Sequence, residues 1–172
     1  MKSSACSKKW YVFYTYPKFE RKVHKLLQEE SYESFLPLHW VVRQWSDRKK
    51  RLQVPLFPNY IFVKIEYNKI FEVIKTPKII NCVKFNKTPA FLKQDEIDNI
   101  IQIIDNRYPI EVCCNMKTGD SVIITEGLLA GMKGVLVEER GSSRFAVRVE
   151  SLQQSLLVNV PIVYLESNKV SV

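Results

Sequence analysis

The stretch QWSDRKKRLQVPLFPNYIFVKI, residues 44–65, places four consecutive cations directly before a dense apolar and aromatic run. Residues 46–53 are polar and charged and predict a loop, whereas residues 56–65 predict a strand. Pro58 lies near the start of that strand, where a missing N–H is tolerated. Residues 34–45 predict the partner strand, interrupted by one proline. The stretch is therefore predicted to form a β-hairpin with a basic tip. That tip consists of Arg48, Lys49, Lys50 and Arg51.

Strands and helices alternate through the first part of the chain. Residues 10–15 predict a strand because they are aromatic and β-branched. A helix is predicted after Pro17, since apolar residues recur there at helical spacing. Those residues are Phe19, Val23, Leu26 and Leu27. A short helix over 69–75 and a strand over 79–85 precede a second long helix. Its predicted apolar stripe is Ile97, Ile100, Ile101 and Ile104. This order predicts an α+β domain, an antiparallel sheet flanked by helices.

The last third of the chain has a different pattern. Residues 106–117 show no clear period and contain Pro109, so they predict a linker. Beyond them, short apolar and β-branched runs alternate with turn residues, which is typical of a small all-β barrel. The predicted strands are 121–125, 134–139, 144–150, 155–160 and, as a fifth, 163–165.

The positive charge is concentrated in the first part of the chain. The net charge is +8. Residues 1–108 carry a balance of +9 and residues 109–172 a balance of −1. Such a field favours a polyanionic partner, of which nucleic acid is the commonest. The alternative is a soluble basic surface without a dedicated partner.

The composition disfavours several classes of protein. Cysteines stand at 6, 82, 113 and 114 without a C-x-x-C pair, and only two histidines could join them, so we expect no metal site and no cofactor. No catalytic motif is present, and we expect neither catalytic residues nor an enzyme. The apolar runs are too short to span a bilayer, and the first residues show no secretion signal. We therefore expect a cytoplasmic protein with reduced thiols and no membrane partner.

Two sets of motifs resemble known domains. The stretch GDSVIITEGLLAGMKG, residues 119–134, resembles the KOW motif of ribosomal proteins and transcription factors. WYVFYTYPKFERKVHKLL, residues 10–27, and PLFPNYIFVKI, residues 55–65, resemble the NGN domain of the NusG family of transcription elongation factors. The resemblance implies an NGN domain over 9–108, a linker over 109–116 and an SH3-like KOW barrel over 117–168. RQWSDRKK, PLFPNY and GDSVIITEG are also similar to specialised UpxY-type and RfaH-type antiterminators, which are associated with long operons such as surface polysaccharide loci.

The resemblance implies a surface for RNA polymerase on the NGN sheet. In this family, an apolar depression grips the clamp helices of the largest polymerase subunit. The matching residues are Tyr14, Tyr60, Phe62 and Phe85. Aromatic residues suit such a groove because they supply a large contact area with few rotors to freeze. The alternative for each of them is an ordinary place in the core.

The resemblance also implies contacts to the non-template DNA strand, and a ring such as Tyr16 could stack on an exposed base. The implied positions are Tyr16, Lys18, Lys22, Lys25, Lys75, Thr76 and Lys78, with the tip Arg48–Arg51 as a further candidate. For the helix lysines the alternative is an ordinary solvated face.

For the KOW domain the candidate partner surface is Leu128, Leu129 and Met132, with barrel core as the alternative. A ribosomal protein or a termination factor is the implied partner. The chain is expected to be a monomer that controls elongation or antitermination. A KOW-containing RNA- or ribosome-binding protein remains the alternative function.

Overall fold

The computed structural model describes residues 7–45, 48–105, 110–114, 119–126, 129–139, 142–149, 152, 154–159 and 165–167. The chain divides into two compact units, Met1–Asp95 and Glu96–Val172. The division falls thirteen residues before the end that the sequence predicts for the first domain, inside the last helix of the chain. The fold is mixed α+β with a majority of strands, which confirms the predicted class.

Nine strands lie in the described part of the first unit. They are β1 (Lys9–Thr15), β2 (Glu33–Phe35), β3 (Leu38–Gln44), β4 (Lys49–Pro55), β5 (Tyr60–Ile65), β6 (Ile79–Cys82), β7 (Lys84–Phe85), β8 (Thr88–Pro89) and β9 (Phe91–Leu92). The main antiparallel sheet has the order β2-β5-β1-β6, with β9 also paired to β1. Two hairpins, β3–β4 and β7–β8, form separate two-stranded sheets. The predicted break in the strand over 34–45 is confirmed, because its two halves join different sheets.

Helices cover one face of the main sheet. They are α1 (Glu20–Glu29) and α2 (Ile70–Ile74), and the chain then continues to α3 (Gln94–Asp105). Alternate residues of β1 and β5 point towards α1 and α2. The resulting core contains Tyr11, Phe13, Val23, Leu27, Ile61, Val63, Ile65, Ile70, Val73, Ile79 and Cys82. One set of alternate side chains of β5 and the helical spacing in α1 therefore contribute to one continuous core.

The stripe predicted for α3 is only partly correct. Ile97, Ile100 and Ile103 are buried, whereas Ile101 is 38% exposed. A helix turns by about 100° per residue, so positions three apart stay on one side while Ile101 rotates away. Within the described residues, no helix is both long and apolar enough to cross a membrane.

Among the residues that the structure describes in the second unit, six strands form an antiparallel sheet in the order β10-β14-β13-β12-β11-β15. They are β10 (Ile110–Cys114), β11 (Ser121–Ile124), β12 (Lys133–Glu139), β13 (Ser142–Val149), β14 (Gln154–Val158) and β15 (Leu165–Ser167). The five strands predicted here are thus present within a few residues. Within the linker predicted over 109–116, residues 110–114 form a strand that pairs with β14. Pairing with an existing strand edge supplies the backbone hydrogen bonds that a weakly patterned segment needs to stay extended.

Three glycines of the quoted 119–134 stretch have a structural reason. Gly131 adopts φ +87°, a conformation that favours glycine. A side chain at Gly134 would collide with the ring of Phe145, and one at Gly119 with the backbone carbonyl of Leu136. The glycine spacing therefore reflects one turn and two close backbone approaches.

Candidate binding surfaces

Two tyrosines face each other at one end of the main sheet. Tyr14 on β1 is directly opposite Tyr60 on β5. Their rings meet edge to face with centroids 5.3 Å apart. The side-chain amide of Asn59 donates a hydrogen bond to the Tyr14 hydroxyl at 3.5 Å. Both tyrosines are only partly buried, so part of each ring remains open to a partner.

Phe62, the third aromatic residue predicted for this surface, lies in the core instead. Its side chain is fully buried. The ring of Phe57 stands perpendicular to it with centroids 6.0 Å apart, and the ring of Phe35 lies 6.1 Å away. Side chains alternate along a strand, so Phe62 points to the same side of β5 as Tyr60. At Phe62, two residues after Tyr60, this side of the strand is fully buried. For Phe62 the observed position is therefore the place in the core that the sequence left open as the alternative.

Phe85 lies on the β7–β8 hairpin rather than in the main sheet. The turn residues Asn86 and Lys87 have φ values of +48° and +67°, as a two-residue type I′ turn requires. Phe85 is 36% exposed. The four aromatic residues predicted as one group therefore occupy three settings: an open pair, a buried ring and a hairpin ring.

An aromatic and cationic cluster follows the end of β1. The backbone N–H of Tyr16 donates to the carbonyl of Lys78 at 3.1 Å, which holds the two segments together. The Lys78 ammonium lies 5.5 Å from the Tyr16 ring centroid and 5.0 Å from the Phe19 ring centroid. Tyr16 is 52% exposed. An exposed ring beside a cation is the combination that binds a base and its phosphate.

The lysine flank, which we define as Lys18, Lys22 and Lys25, is exposed along its length. Lys18 precedes α1 in a turn with φ +67°, and the other two lie on the helix. Lys25 forms an ion pair with Glu29 at 3.7 Å. An exposed pair of this kind contributes little to stability, so the lysine can exchange its partner for a phosphate.

Thr76 is corrected from a nucleic-acid contact to a structural residue. It is buried, and its hydroxyl donates to the Glu30 carboxylate at 3.4 Å. Its backbone N–H donates to the carbonyl of Val73 and so closes the end of α2. Lys75 beside it is exposed and remains accessible to a ligand.

The predicted basic tip is largely a strand. Lys49, Lys50 and Arg51 belong to β4 and pair with Gln44, Arg43 and Val42 of β3. The Arg51 guanidinium lies 5.2 Å from the Trp40 ring centroid, and the Lys50 ammonium lies 5.6 Å from that of Trp45. A hairpin exposed to water tolerates cations in a strand, and stacking on indole rings holds their stems. The sequence prediction of a loop over 46–53 is corrected accordingly.

An open pocket of about 500 Å³ lies between the start of α1 and the β3–β4 hairpin. Its cations are Lys18, Arg21 and Arg43. Both arginines lie inside the motifs quoted above, but the resemblance did not imply a role for either of them, and the sequence could not show that α1 and β3 bring them to one pocket. The buried Glu20 in the same wall accepts a hydrogen bond from the backbone N–H of Asn59 at 2.9 Å.

The family described as transcription termination factor NusG matches residues 8–101, more than half of the chain. The chain belongs to the NusG family. It is 26% identical over 159 residues to the transcription termination/antitermination protein NusG of Pseudomonas aeruginosa, covering 85% of this chain and 89% of that protein. The NusG of Neisseria meningitidis serogroup B is 28% identical over 160 residues, covering 83% and 89%.

The family assignment extends to the fold of the second unit. A solved structure described as domain interaction in Thermotoga maritima NusG matches 94% of this chain and 98% of that one, with a TM-score of 0.53 and 23% identity. The likeness confirms an NGN-like first part and a KOW-like second part. The specialised UpxY-type or RfaH-type identity stays a prediction.

Two of the three residues predicted as the KOW partner surface have buried side chains. Leu129 and Met132 are both buried, and Leu128 lies outside the described residues. The backbone N–H of Gly131 donates to the carbonyl of Ile124 at 2.7 Å, which folds the turn back onto β11. The core alternative left open by the sequence is therefore the one observed for Leu129 and Met132.

Burial shifts the pKa values of two histidines and of one cysteine in the first unit. Partial burial lowers the pKa of His24 and of His39, so neither adds to the positive field at neutral pH. Burial raises the pKa of the Cys82 thiol to about 11. Because the thiolate is the nucleophile, Cys82 is suited to packing rather than to chemistry.

Proposed function

We propose that this NusG-family chain is a non-enzymatic elongation and antitermination factor that works in the cytoplasm. Its first domain would bind the clamp helices of RNA polymerase, and its basic surface would bind the displaced non-template DNA strand. Its second domain would recruit a further protein, either a ribosomal protein or a termination factor. The likeness of RQWSDRKK and PLFPNY to specialised antiterminators supports a role at long operons.

The observation that carries the proposal is the open Tyr14–Tyr60 pair. It is an apolar and aromatic surface on the end of a rigid sheet. Polymerase clamp helices present a convex, side-chain-covered surface, and a pair of partly exposed rings can pack against it at low entropic cost. Phe85 is the remaining accessible aromatic residue of the predicted group.

The exposed cations support the assignment to DNA. The lysine flank runs from α1 back to Lys18, two residues after Tyr16. The backbone of Tyr16 is in turn bonded to that of Lys78. An exposed ring can stack on any base, and neighbouring ammonium groups can neutralise the connecting phosphates. A single strand displaced by transcription offers both kinds of group, whereas paired bases hide their faces.

The experiment is co-purification of the full chain with RNA polymerase, followed by single-round transcription across a terminator. We expect the wild-type chain to co-purify with polymerase and to change read-through. The double variant Tyr14→Ala, Tyr60→Ala should lose both properties. The matched control is Tyr67→Ala, which removes a tyrosine that is 58% exposed elsewhere on the first unit.

Each outcome separates the two candidate functions. Capture of ribosomal RNA or ribosomal subunits without polymerase would favour an RNA- or ribosome-binding protein. Equal loss of polymerase by the double variant and by the Tyr67 control would refute the tyrosine surface while leaving the family assignment intact.

A further inference from the structure

The β3–β4 hairpin, which we call the ribbon, has one face that is open to water beyond its first residue pair, Leu38 and Pro55, which is partly buried. Directly opposed residues of an antiparallel pair share a face, and the register runs from Trp40↔Gln53 to Gln44↔Lys49. We define the open face as Trp40, Val42, Gln44, Lys49, Arg51 and Gln53. All six are exposed, with Trp40 at 53% and Val42 at 64%.

The opposite face of the ribbon is partly covered. Val41, Leu52 and Val54 on that side are partly buried. Arg21 of α1 donates a hydrogen bond from its guanidinium to the carbonyl of Gln53 at 2.9 Å. This bond ties β4 to α1, and the open face is the side of the ribbon opposite the partly buried Val41, Leu52 and Val54.

The side chains of the open face have the chemistry of base-edge recognition. Arginine and lysine bind the two acceptors of guanine, glutamine binds adenine, and an aliphatic group contacts the thymine methyl. The open face offers two cations, two glutamines and one valine, and none of its six residues is acidic. The Arg51 guanidinium lies against the Trp40 indole ring, and this contact limits the freedom of the guanidinium.

We propose that the open face of the ribbon docks in the major groove of a DNA duplex. A B-form major groove is wide enough for a two-stranded β-ribbon, and its phosphate walls complement Lys49 and Arg51. The groove of duplex RNA is deep and narrow and does not admit such an element. The inference goes beyond the proposed function, in which the Arg48–Arg51 run would contact only the displaced single strand.

Two competing occupants fit the open face less well. Single-strand binding relies on several rings that stack successive bases, and Trp40 is the single aromatic residue among the six. A protein interface has an apolar centre with few charges. Here polar side chains run the length of the face, and Val42 and Trp40 are its two apolar members.

The test measures binding of the full chain to a short duplex DNA pool of random sequence, across a range of salt concentrations. The same pool as single strands and an RNA hairpin are the comparison probes. The test variant is Lys49→Gln, Arg51→Gln on the open face. The matched control is Lys84→Gln, Lys87→Gln on the separate β7–β8 hairpin, where both lysines are exposed and the same charge is removed.

We expect the wild type to prefer duplex DNA over both comparison probes. Each lost duplex phosphate contact changes the log–log salt slope by about 0.9, so the open-face variant should lose about 1.8 units of slope. The salt slope of the control variant should stay within about 0.5 of the wild-type slope, which is about half the change expected for one lost contact.

Three results would overturn the proposal: equal slopes for the two double variants, tighter binding to the single strand or the RNA hairpin, or no duplex binding by the wild type. All four substituted side chains are exposed, and circular dichroism checks that the variants fold. The assay contains no polymerase, so its failure leaves the proposed function untouched, and loss of polymerase binding leaves this inference untouched.

Discussion

Replacing Phe62 by alanine should destabilise the first unit rather than weaken a binding surface. A phenylalanine buries on the order of 150–250 Å². At about 25 cal/mol per Å², full burial contributes about 4–6 kcal/mol. Phe62 is fully buried and contacts the rings of Phe35 and Phe57. Alanine keeps the Cβ, so the expected loss is about 3–5 kcal/mol, a large part of the stability of a small domain.

Urea unfolding followed by tryptophan fluorescence measures this loss. The three tryptophans, Trp10, Trp40 and Trp45, all lie in the first unit, so the signal reports that unit alone. With a urea dependence of about 1–3 kcal/mol per M, the midpoint should fall by about 2 M. Phe62→Leu should lose less than half as much, because it retains most of the apolar volume.

Tyr60→Ala is the matched neighbour on the same strand. Tyr60 is only partly buried, so its removal should cost about 1–2 kcal/mol. A Phe62→Ala protein with the midpoint of the Tyr60→Ala protein would refute the assignment of Phe62 to the core. It would also restore Phe62 as a candidate contact for a partner.

Three further predictions rest on individual contacts. Glu20→Ala removes the acceptor of the Asn59 N–H and should cost about 1–3 kcal/mol in urea unfolding, and an unchanged midpoint would contradict the role of that bond. Replacing all three residues of the lysine flank by serine should flatten the log–log salt slope for binding to a bubble-containing transcription complex by about 2, since each single-strand contact contributes about 0.7. An unchanged slope would identify the flank as an ordinary solvated face. Cys82 should resist alkylation at pH 8 in the folded chain and react in urea, by peptide mass mapping. Its pKa is raised from 9.0 to about 11 on folding, so the stability lost through this group should appear only as the pH rises above 9.

The sequence predicted the elements that a strong period specifies. Alternation in β5 and helical spacing around Val23 and Leu27 led directly to the observed core. Period alone could not separate Phe62 from Tyr60, because both lie on one side of the strand and differ only in what covers them. Their different exposure depends on Phe35 and Phe57, which come from other parts of the chain.

Charge runs and irregular segments were the least predictable. The sequence predicted Lys49 and Arg51 as loop residues because strands seldom carry consecutive cations. The strand β4 tolerates them because both side chains lie on the open face of the ribbon and are exposed to water. Residues 110–114 carry no clear alternation, and only the edge of β14 shows that they form a strand. Thr76 sits between two exposed lysines, and nothing local indicated its bond to Glu30.

Burial on both sides of the central strands limits where a partner can bind the first unit. Ile61 and Val63 lie under the helices, and Val12 and Phe62 on the other side are equally closed. A partner therefore cannot lie across the middle of the sheet without unfolding it. What remains are the strand ends, where Tyr14 and Tyr60 are open, and the elements added to the sheet. The ribbon is one of these additions, and its cations belong to a different sheet from the tyrosine pair. Because the tyrosine pair and the ribbon cations lie on different sheets, an apolar contact to one and a phosphate contact to the other can form at the same time. Substitutions in the tyrosine pair should therefore leave the phosphate contact intact, and substitutions in the ribbon should leave the apolar contact intact.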